Sequence, residues 1–417
     1  MYALVDANSF YCSAEQVFRP EWRNRPIIVL SNNDGCIVAA NRLAKEAGIK
    51  KFGPYFEAKR LCEQKGIIAL SSNYELYGSL SASMMEVIGR FAPQQHIYSI
   101  DESFLSFKHC YPAIPCLTEH ALKLWRAVWK ETRLPVCVGI GETLTLAKVA
   151  NHAAKKLPGY NGVCAITNNE QRSAILKTMK TNDVWGVGGR IAKRLATINI
   201  HNAYALSQMK VGIARKQFSI ELERTVRELN GEVCKTWDEA RADKKQIFST
   251  RSVGNRVTDL PSLCQALSKH ASTAAAKART QGSLCKSMLV FASNSPFDQQ
   301  PNGFKYLHHF AFPTNDTCEL IEAATQAAMV RFNPTIRYYK IGVGLINLCS
   351  EANLQGDLFE GGRNPSKMLV LDKINAKYGT DTLFLAAQGI SQKWGMRREM
   401  LTPQYTTRWK DIPLIKC

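Results

Sequence analysis

No apolar run in the 417 residues approaches the roughly 18 needed to cross a bilayer. The N-terminus "MYALVDANSF" has no basic segment ahead of an apolar stretch, so neither a membrane span nor a secretory leader is expected. Cysteines number thirteen, an odd count, scattered so that none sits two residues from another. That argues for reduced thiols in a cytosolic protein and against a disulfide framework. Internal repeats are absent. Acidic residues are scarce, 35 against 54 Lys and Arg, leaving a formal charge of +19. Such a surplus predicts a polyanionic partner, and without a membrane signal nucleic acid is favoured. Hydrophobic residues at 45 %, aromatics at 9 % and charged residues at 21 % are ordinary for a folded protein, and the length predicts about two to four domains.

Strand and helix patterns alternate over the first 165 residues. "YALVDA" reads as a buried strand and "SFYCSAEQVF" as a helix; "PIIVLSNNDGCIVAANRLAKEAGI" reads as strand, Asn-Asp-Gly turn and helix. "HIYSIDESFLSF" and "PVCVGIG" are further strands, the latter leading into the helix "TLTLAKVANHAAKK". The order suggests a split βαβ sheet. Residues 168–235 turn helical, and a βαββαβ unit of about 105 residues follows a polar basic stretch at 239–246. Its first half, residues 241–290, carries nine Lys and Arg against two Asp.

Asp6 closes the first strand, and Asp101 and Glu102 stand side by side at the end of a later one. Three clustered carboxylates are untenable unless cations neutralise them. Hard oxygen donors without His or Cys suit Mg²⁺, and two such ions are the apparatus of in-line phosphoryl transfer. The bland alternative is that Asp101 and Glu102 cap a turn. Arg42 and Lys45 share a helix face and could grip a triphosphate, as could Lys155 with Lys156; a solvated helix end explains the latter pair equally well. In "HCYPAIPCLTEH", Cys110, Cys116 and His120 have a gap too wide for a usual zinc site, and a Pro-containing connection is the preferred reading.

"VDANSFYCSAE", "SSNYELY", "YSIDESF" and "VGIGETLTLAKVANHAAKK" together resemble the Y-family translesion DNA polymerases. "LSNNDG", "DVWGVGGRI", "LERTVRELNG" and "LFLAAQGISQKWGMRREMLTPQYTTRW" are similar to the UmuC-like branch, the catalytic subunit of bacterial DNA polymerase V. The resemblance runs the whole length of the chain. It implies an α+β multidomain right-hand fold: a ferredoxin-like palm (1–22 and 73–166), small fingers (23–72), a helical thumb (167–238), a linker (239–246) and a βαββαβ little finger (247–350). Residues 351–417 would form a clamp-binding linker and a C-terminal tail that docks partners and that the catalytic core does not need.

The resemblance also implies roles. Asp6, Asp101 and Glu102, with the Ala7 carbonyl, would hold two Mg²⁺ ions, and Tyr11 would be the aromatic gate against a ribose 2′-hydroxyl. Asn8, Ser9 and Phe10 would bind the dNTP phosphates through backbone N–H groups, aided by Lys45, Lys155 and, less like the family pattern, Arg42. Ile37 and Val38 would roof the nascent base pair. In "GVGGRIAKRL", Gly186, Gly188, Gly189 and Lys193 resemble a helix-hairpin-helix that grips a DNA phosphate. Gln355, Leu358 and Phe359 in "QGDLF" resemble a β sliding clamp-binding peptide. Primer–template DNA, a processed UmuD-like dimer and a RecA filament complete the implied partners, and the implied function is error-prone SOS translesion synthesis without proofreading, in the cytoplasm at the nucleoid. The competing readings are a two-metal nuclease or cyclase on a palm, which would not need Tyr11, and an inactive clamp-bound scaffold, which would not keep three costly carboxylates.

Overall fold

"YALVDA" has no polar face to leave in water, so it needs neighbours on both sides. It forms β1 (Tyr2–Ala7), every residue buried except the half-buried Asp6. A tight turn leads into α1 (Phe10–Val17). The next segments, β2 (Ile27–Leu30), β3 (Ile37–Ala40), α2 (Arg42–Glu46), α3 (Tyr55–Gln64) and β4 (Ile68–Ser71), build a separate three-stranded sheet in the order β3-β2-β4. Asn73 then caps α4 (Tyr74–Gly89), its side chain accepting from Leu76 N. The hairpin β5 (Gln94–Ile97) and β6 (Glu102–Ser106), helix α5 (Leu117–Thr132), β7 (Val136–Gly141), α6 (Leu144–Lys156) and β8 (Val163–Ala165) complete a five-stranded sheet, β5-β6-β1-β7-β8.

Two glycines bring α6 against this sheet. A Cβ at Gly139 would stand 2.0 Å from Asn151 N and 2.5 Å from the Ala147 carbonyl, and one at Gly141 2.7 Å from Leu146. Only backbone hydrogen fits there, so the helix lies nearly on the strand. Five helices follow: α7 (Asn169–Thr178), α8 (Gly189–Ala196), α9 (Ala203–Ser207), α10 (Val211–Gln217) and α11 (Ile220–Leu229). They share an apolar core with the back of α6, through Leu146, Val149 and Ala153. Their polar anchor is Glu228, fully buried, which accepts from Thr145 N (3.0 Å), Thr145 Oγ1 (2.5 Å), Cys234 N (3.3 Å) and Lys235 N (2.8 Å).

The structure is a computed structural model that describes residues 1–237, 243–353, 365–392 and 394–414. These fall into two units, one of Met1–Ser31, Gly35–Ala240 and Met400–Cys417, the other of Asn32–Asp34 and Arg241–Glu399. The second unit has the βαββαβ order read from the sequence: β9 (Ile247–Val257), α12 (Leu260–Thr280), β10 (Ser283–Ser293), β11 (Gly303–Thr314), α13 (Thr317–Arg331) and β12 (Tyr338–Ser350). Its sheet is antiparallel throughout, in the order β11-β10-β12-β9. Ala271, Ala274, Ala275 and Ala278 of α12 and Ala323, Ala324, Ala327 and Ala328 of α13 are buried in its core, small side chains that let the two helices approach closely.

The described residues read as the tail divide between the two units. α14 (Pro365–Tyr378) belongs to the second unit, held by a bidentate Arg279–Asp372 pair (2.7 and 2.8 Å) and by Met368 Sδ accepting from Thr317 N. Trp394 joins that unit's core, while Met400 and Tyr405 pack into cores of the first. The apolar anchors of the tail had cores to enter, and they entered them. Gln355, Leu358 and Phe359 lie outside the described residues.

Glu228 offers a test of how α11 is fixed to α6. Glu228→Ala leaves Thr145 N–H and Lys235 N–H without their buried acceptor, and should cost about 2–4 kcal/mol, measured as a lowered urea midpoint.

Candidate active site

The acidic pair does not close a strand, as its apolar surroundings suggested; it sits at a hairpin tip. β5 stops at Ile97, and Tyr98 N and Ser99 N both donate to the Glu102 carbonyl, at 3.0 and 3.1 Å. Ser99 Oγ donates to Asp101 Oδ1 at 2.6 Å, and Ala7 N donates to the Asp101 carbonyl at 2.9 Å. Asp6 is the register partner of Glu102 across β1 and β6, which brings the strand-end acid beside the hairpin acids.

The Asp6 carboxyl is the one whose surroundings oppose its charge. Burial pushes the Asp6 carboxyl up to about 6, Glu102 adds to the rise, and Lys155 opposes it. Lys155 Nζ pairs with Asp6 Oδ1, and Lys148 Nζ lies 2.8 Å from Glu102 Oε1. Among the described residues no three His, Cys, Asp or Glu side chains converge as a metal-ligand group. Each carboxylate has instead its own partner: Lys155, Ser99 or Lys148. The donor set is nonetheless all hard oxygen and carries surplus charge, which fits Mg²⁺. Lys148 was not singled out in the sequence. Its signal was there: it lies seven residues before Lys155, two turns along the same face of α6.

Asp6, Ala7 and Asp101 open on a cleft of about 1200 Å³, whose wall also includes Asn8, Ser9, Phe10, Tyr11, Arg42 and Lys45. Lys51, Lys155 and Lys156 line it as well. Ser9 turns the chain into α1 with a left-handed φ of 47°. The Asn8 amide, expected to meet phosphate, is committed to the Pro135 carbonyl at 2.8 Å. Burial lowers the Lys45 pKa, and the nearby Lys51 charge lowers it further. The Arg42 guanidinium is engaged in a 2.7 Å bond to Glu46 and is largely exposed. Val38 lines the cleft, but Ile37 is buried in the small sheet's core and cannot roof anything.

Tyr11 is half-buried in an aromatic wall. Its ring stacks on Tyr77 at 4.7 Å and 18°, and Tyr74 meets it edge-on at 6.0 Å. Tyr77 is wholly buried and donates its hydroxyl to Glu15 Oε1 at 2.6 Å. Burial raises the Glu15 carboxyl to about 6. Sequence reasoning passed over Glu15 and Tyr77, although Glu15 lies four residues after Tyr11 and Tyr77 three after Tyr74, each pair on one helical face.

Elsewhere, Gly188 caps α8, and a Cβ at Gly188 or Gly189 would meet nothing within 4 Å. Packing therefore does not demand glycine there. Gly186 has a φ of +87°, and Lys193 is exposed on the same helix. Of the imagined zinc ligands, His120 spends Nε2 on the Phe91 carbonyl at 2.7 Å.

Comparison with known proteins places the chain among relatives. The impB/mucB/samB family matches residues 5–152 and its C-terminal domain residues 244–358; a domain of unknown function matches 368–415. The chain is 41 % identical to protein UmuC of Salmonella typhimurium over 100 % of both chains, and 40 % identical to protein MucB of Escherichia coli over 99 % of both. DNA polymerase IV of Bacillus anthracis is 26 % identical over 92 % of each. Among solved structures, a Dbh-based Y-family DNA polymerase chimera matches 84 % of this chain and 99 % of its own with a TM-score of 0.62 at 18 % identity. An insertion ternary complex of Dbh DNA polymerase gives 0.53 over the same shares, at 18 %. These structures share the right-hand polymerase fold.

The lysine pairing has a measurable signature. In Lys155→Met with a chelator present, desolvation and Glu102 act on Asp6 unopposed, so its titration midpoint should rise above about 6 in a carboxyl-carbon NMR titration. An unmoved midpoint would show that Lys155 does not hold Asp6 in solution.

Proposed function

The chain belongs to the impB/mucB/samB family, the UmuC-like branch of the Y-family DNA polymerases, and we propose how its own residues perform that family's reaction. It is a DNA-directed DNA polymerase of error-prone synthesis past lesions. One observation carries the assignment of chemistry: Asp6, opposed by Lys155 of α6, and Asp101 open on a basic cleft with Tyr11 in its wall, and Glu102 stands at the register position beside Asp6. Two Mg²⁺ ions held by Asp6, Asp101, Glu102 and the Ala7 carbonyl would activate the primer 3′-hydroxyl and stabilise the leaving pyrophosphate. The chain's own part is to bind and align. Lys45 and Lys155 neutralise the triphosphate of the incoming dNTP, with Ser9 and Phe10 offering amides at the start of α1. Arg42 joins them on leaving Glu46. Tyr11 fills the space that a 2′-hydroxyl needs.

Further contacts belong to the same reading. Gly186, Gly188, Gly189 and Lys193 present open backbone amides and a positive charge to a phosphate of the duplex. The basic strands of the second unit run along primer–template backbone, giving a grip that weakens with salt. Gln355, Leu358 and Phe359 bind the β sliding clamp. Leu369, Val370 and Tyr378, exposed on α14, are where a processed UmuD-like dimer or the RecA filament docks. No helix among the described residues is long and apolar enough to cross a membrane. The enzyme acts in the cytoplasm, at the nucleoid.

Two substitutions test the site. Asp101→Asn with Glu102→Gln should leave primer–template affinity nearly unchanged and lower nucleotide addition by roughly 1,000-fold or more; ready extension by the double variant refutes the metal assignment. Tyr11→Ala should raise ribonucleotide incorporation by about 10- to 100-fold in single-nucleotide extension, since discrimination rests on shape. Equal discrimination by variant and parent would remove Tyr11 from that role.

A further inference from the structure

The segment Met400–Tyr405 runs across the back of the aromatic wall and contacts both helices that build it. At α4 it meets Ser71 and Asn73, which are fully buried. Ser71 N donates to the Met400 carbonyl and Met400 N to Ser71 Oγ, each at 3.0 Å. Asn73 Nδ2 faces three acceptors: the Thr402 carbonyl (3.1 Å), Thr402 Oγ1 (3.0 Å) and the Pro403 carbonyl (3.3 Å). The amide has two N–H groups to give, and these are the acceptors that satisfy them. The other end of that amide caps α4, the helix that carries Tyr74 and Tyr77. At α1, Tyr405 stacks on Phe18 at 4.7 Å and 23°, and its hydroxyl accepts from Arg19 Nε at 3.2 Å.

Between these anchors lies Glu15, 1 % exposed, with Oε1 taken by Tyr77 and no hydrogen-bond partner in reach of Oε2. The Thr402 hydroxyl accepts from Asn73 at 3.0 Å. A continuous path runs instead from Thr402 through Asn73 to the first turn of α4, whose Tyr77 stacks on the ring of Tyr11. Stacking at 4.7 Å depends on the spacing of α1 and α4, and the segment is tied to both.

We propose that Met400–Tyr405 is a positioning strap for the sugar-selecting wall, with Thr402 and Tyr405 setting where the Tyr11 ring stands. This assigns a task to the last part of a domain of unknown function and rests on reading Tyr11 as the gate. The strap does not touch substrate. It limits how far Tyr77, and with it Tyr11, can retreat before a 2′-hydroxyl.

The experiment compares Thr402→Val, Thr402→Ser, Tyr405→Ala and Tyr11→Ala in the full chain, each assayed below its melting transition. The readout is the ratio of kcat/KM for a deoxyribonucleotide to that for its ribonucleotide. Thr402→Val keeps volume but loses the hydroxyl, and should relax the ratio by about 5-fold, as should Tyr405→Ala. Thr402→Ser restores the hydroxyl and should hold the parent ratio, an outcome that mere loss of packing would not give. If Tyr11→Ala relaxes discrimination while Thr402→Val and Tyr405→Ala leave it at the parent value, the strap is refuted and the gate stands. If Tyr11→Ala itself changes nothing, the gate falls and the strap with it.

Discussion

Pairing of the Asp6 and Glu102 carboxylates with lysines of α6 is the constraint on which this unit depends. β1 is the middle strand of its sheet because it must carry Asp6 to the register position of Glu102. Such a cluster needs positive charge from an element that cannot drift, and α6 supplies it. Gly139 and Gly141 remove the Cβ atoms that would push α6 off β7, and Lys148 and Lys155 then reach the acids from one helical face. Lengthening either contact by an ångström or two would weaken it in proportion, and more steeply where the site is dry.

Lys148 is held from behind as well as in front. Its ammonium lies 4.7 Å from the Tyr98 ring, 5.4 Å from Trp185 and 5.8 Å from Phe104. Ring faces attract a cation without competing for its protons, so the ammonium of Lys148 is held against the rings and aimed at Glu102. Trp185 also faces the ammonium of Lys235, at 4.6 Å, and Lys235 N is one of the donors to Glu228. The helical part of the unit is thus joined to the acidic hairpin through alternating cations, rings and one buried carboxylate. Apart from Lys235 and Glu228, seven residues apart, these partners are tens of residues apart in the chain.

That separation explains what the sequence could and could not reveal. β1 was legible because six apolar or buried positions in a row have few alternatives, and the βαββαβ order was legible because period and turn chemistry are local. The acids, Tyr11 and the cleft-lining Lys45 and Lys155 were legible as motifs. The hairpin at Tyr98–Asp101 was not, because "YSIDESF" has strand composition and only the pairing with β1 decides where it folds. Ile37 and Val38 were indistinguishable as neighbours until the sheet gave them opposite faces. Where the tail packs was not legible either: Trp394 and Tyr405 lie 11 residues apart, and only the folded chain shows that they enter different cores.

The aromatic wall shows why a polar group can be worth burying. A gate built from apolar rings alone would be attracted by contact area, which is indifferent to rotation and to small slides. Tyr77 has a hydroxyl that must find an acceptor once buried, and Glu15 accepts it at 2.6 Å. The bond fixes the ring in its plane, and Tyr11, stacked on that plane, inherits the orientation. Burial makes Glu15 costly, raising its pKa to about 6, and the cost is tolerated because a direction is gained that packing cannot supply. Stacking alone leaves a ring free to slide, so the fixed placement of this wall comes from a directional bond.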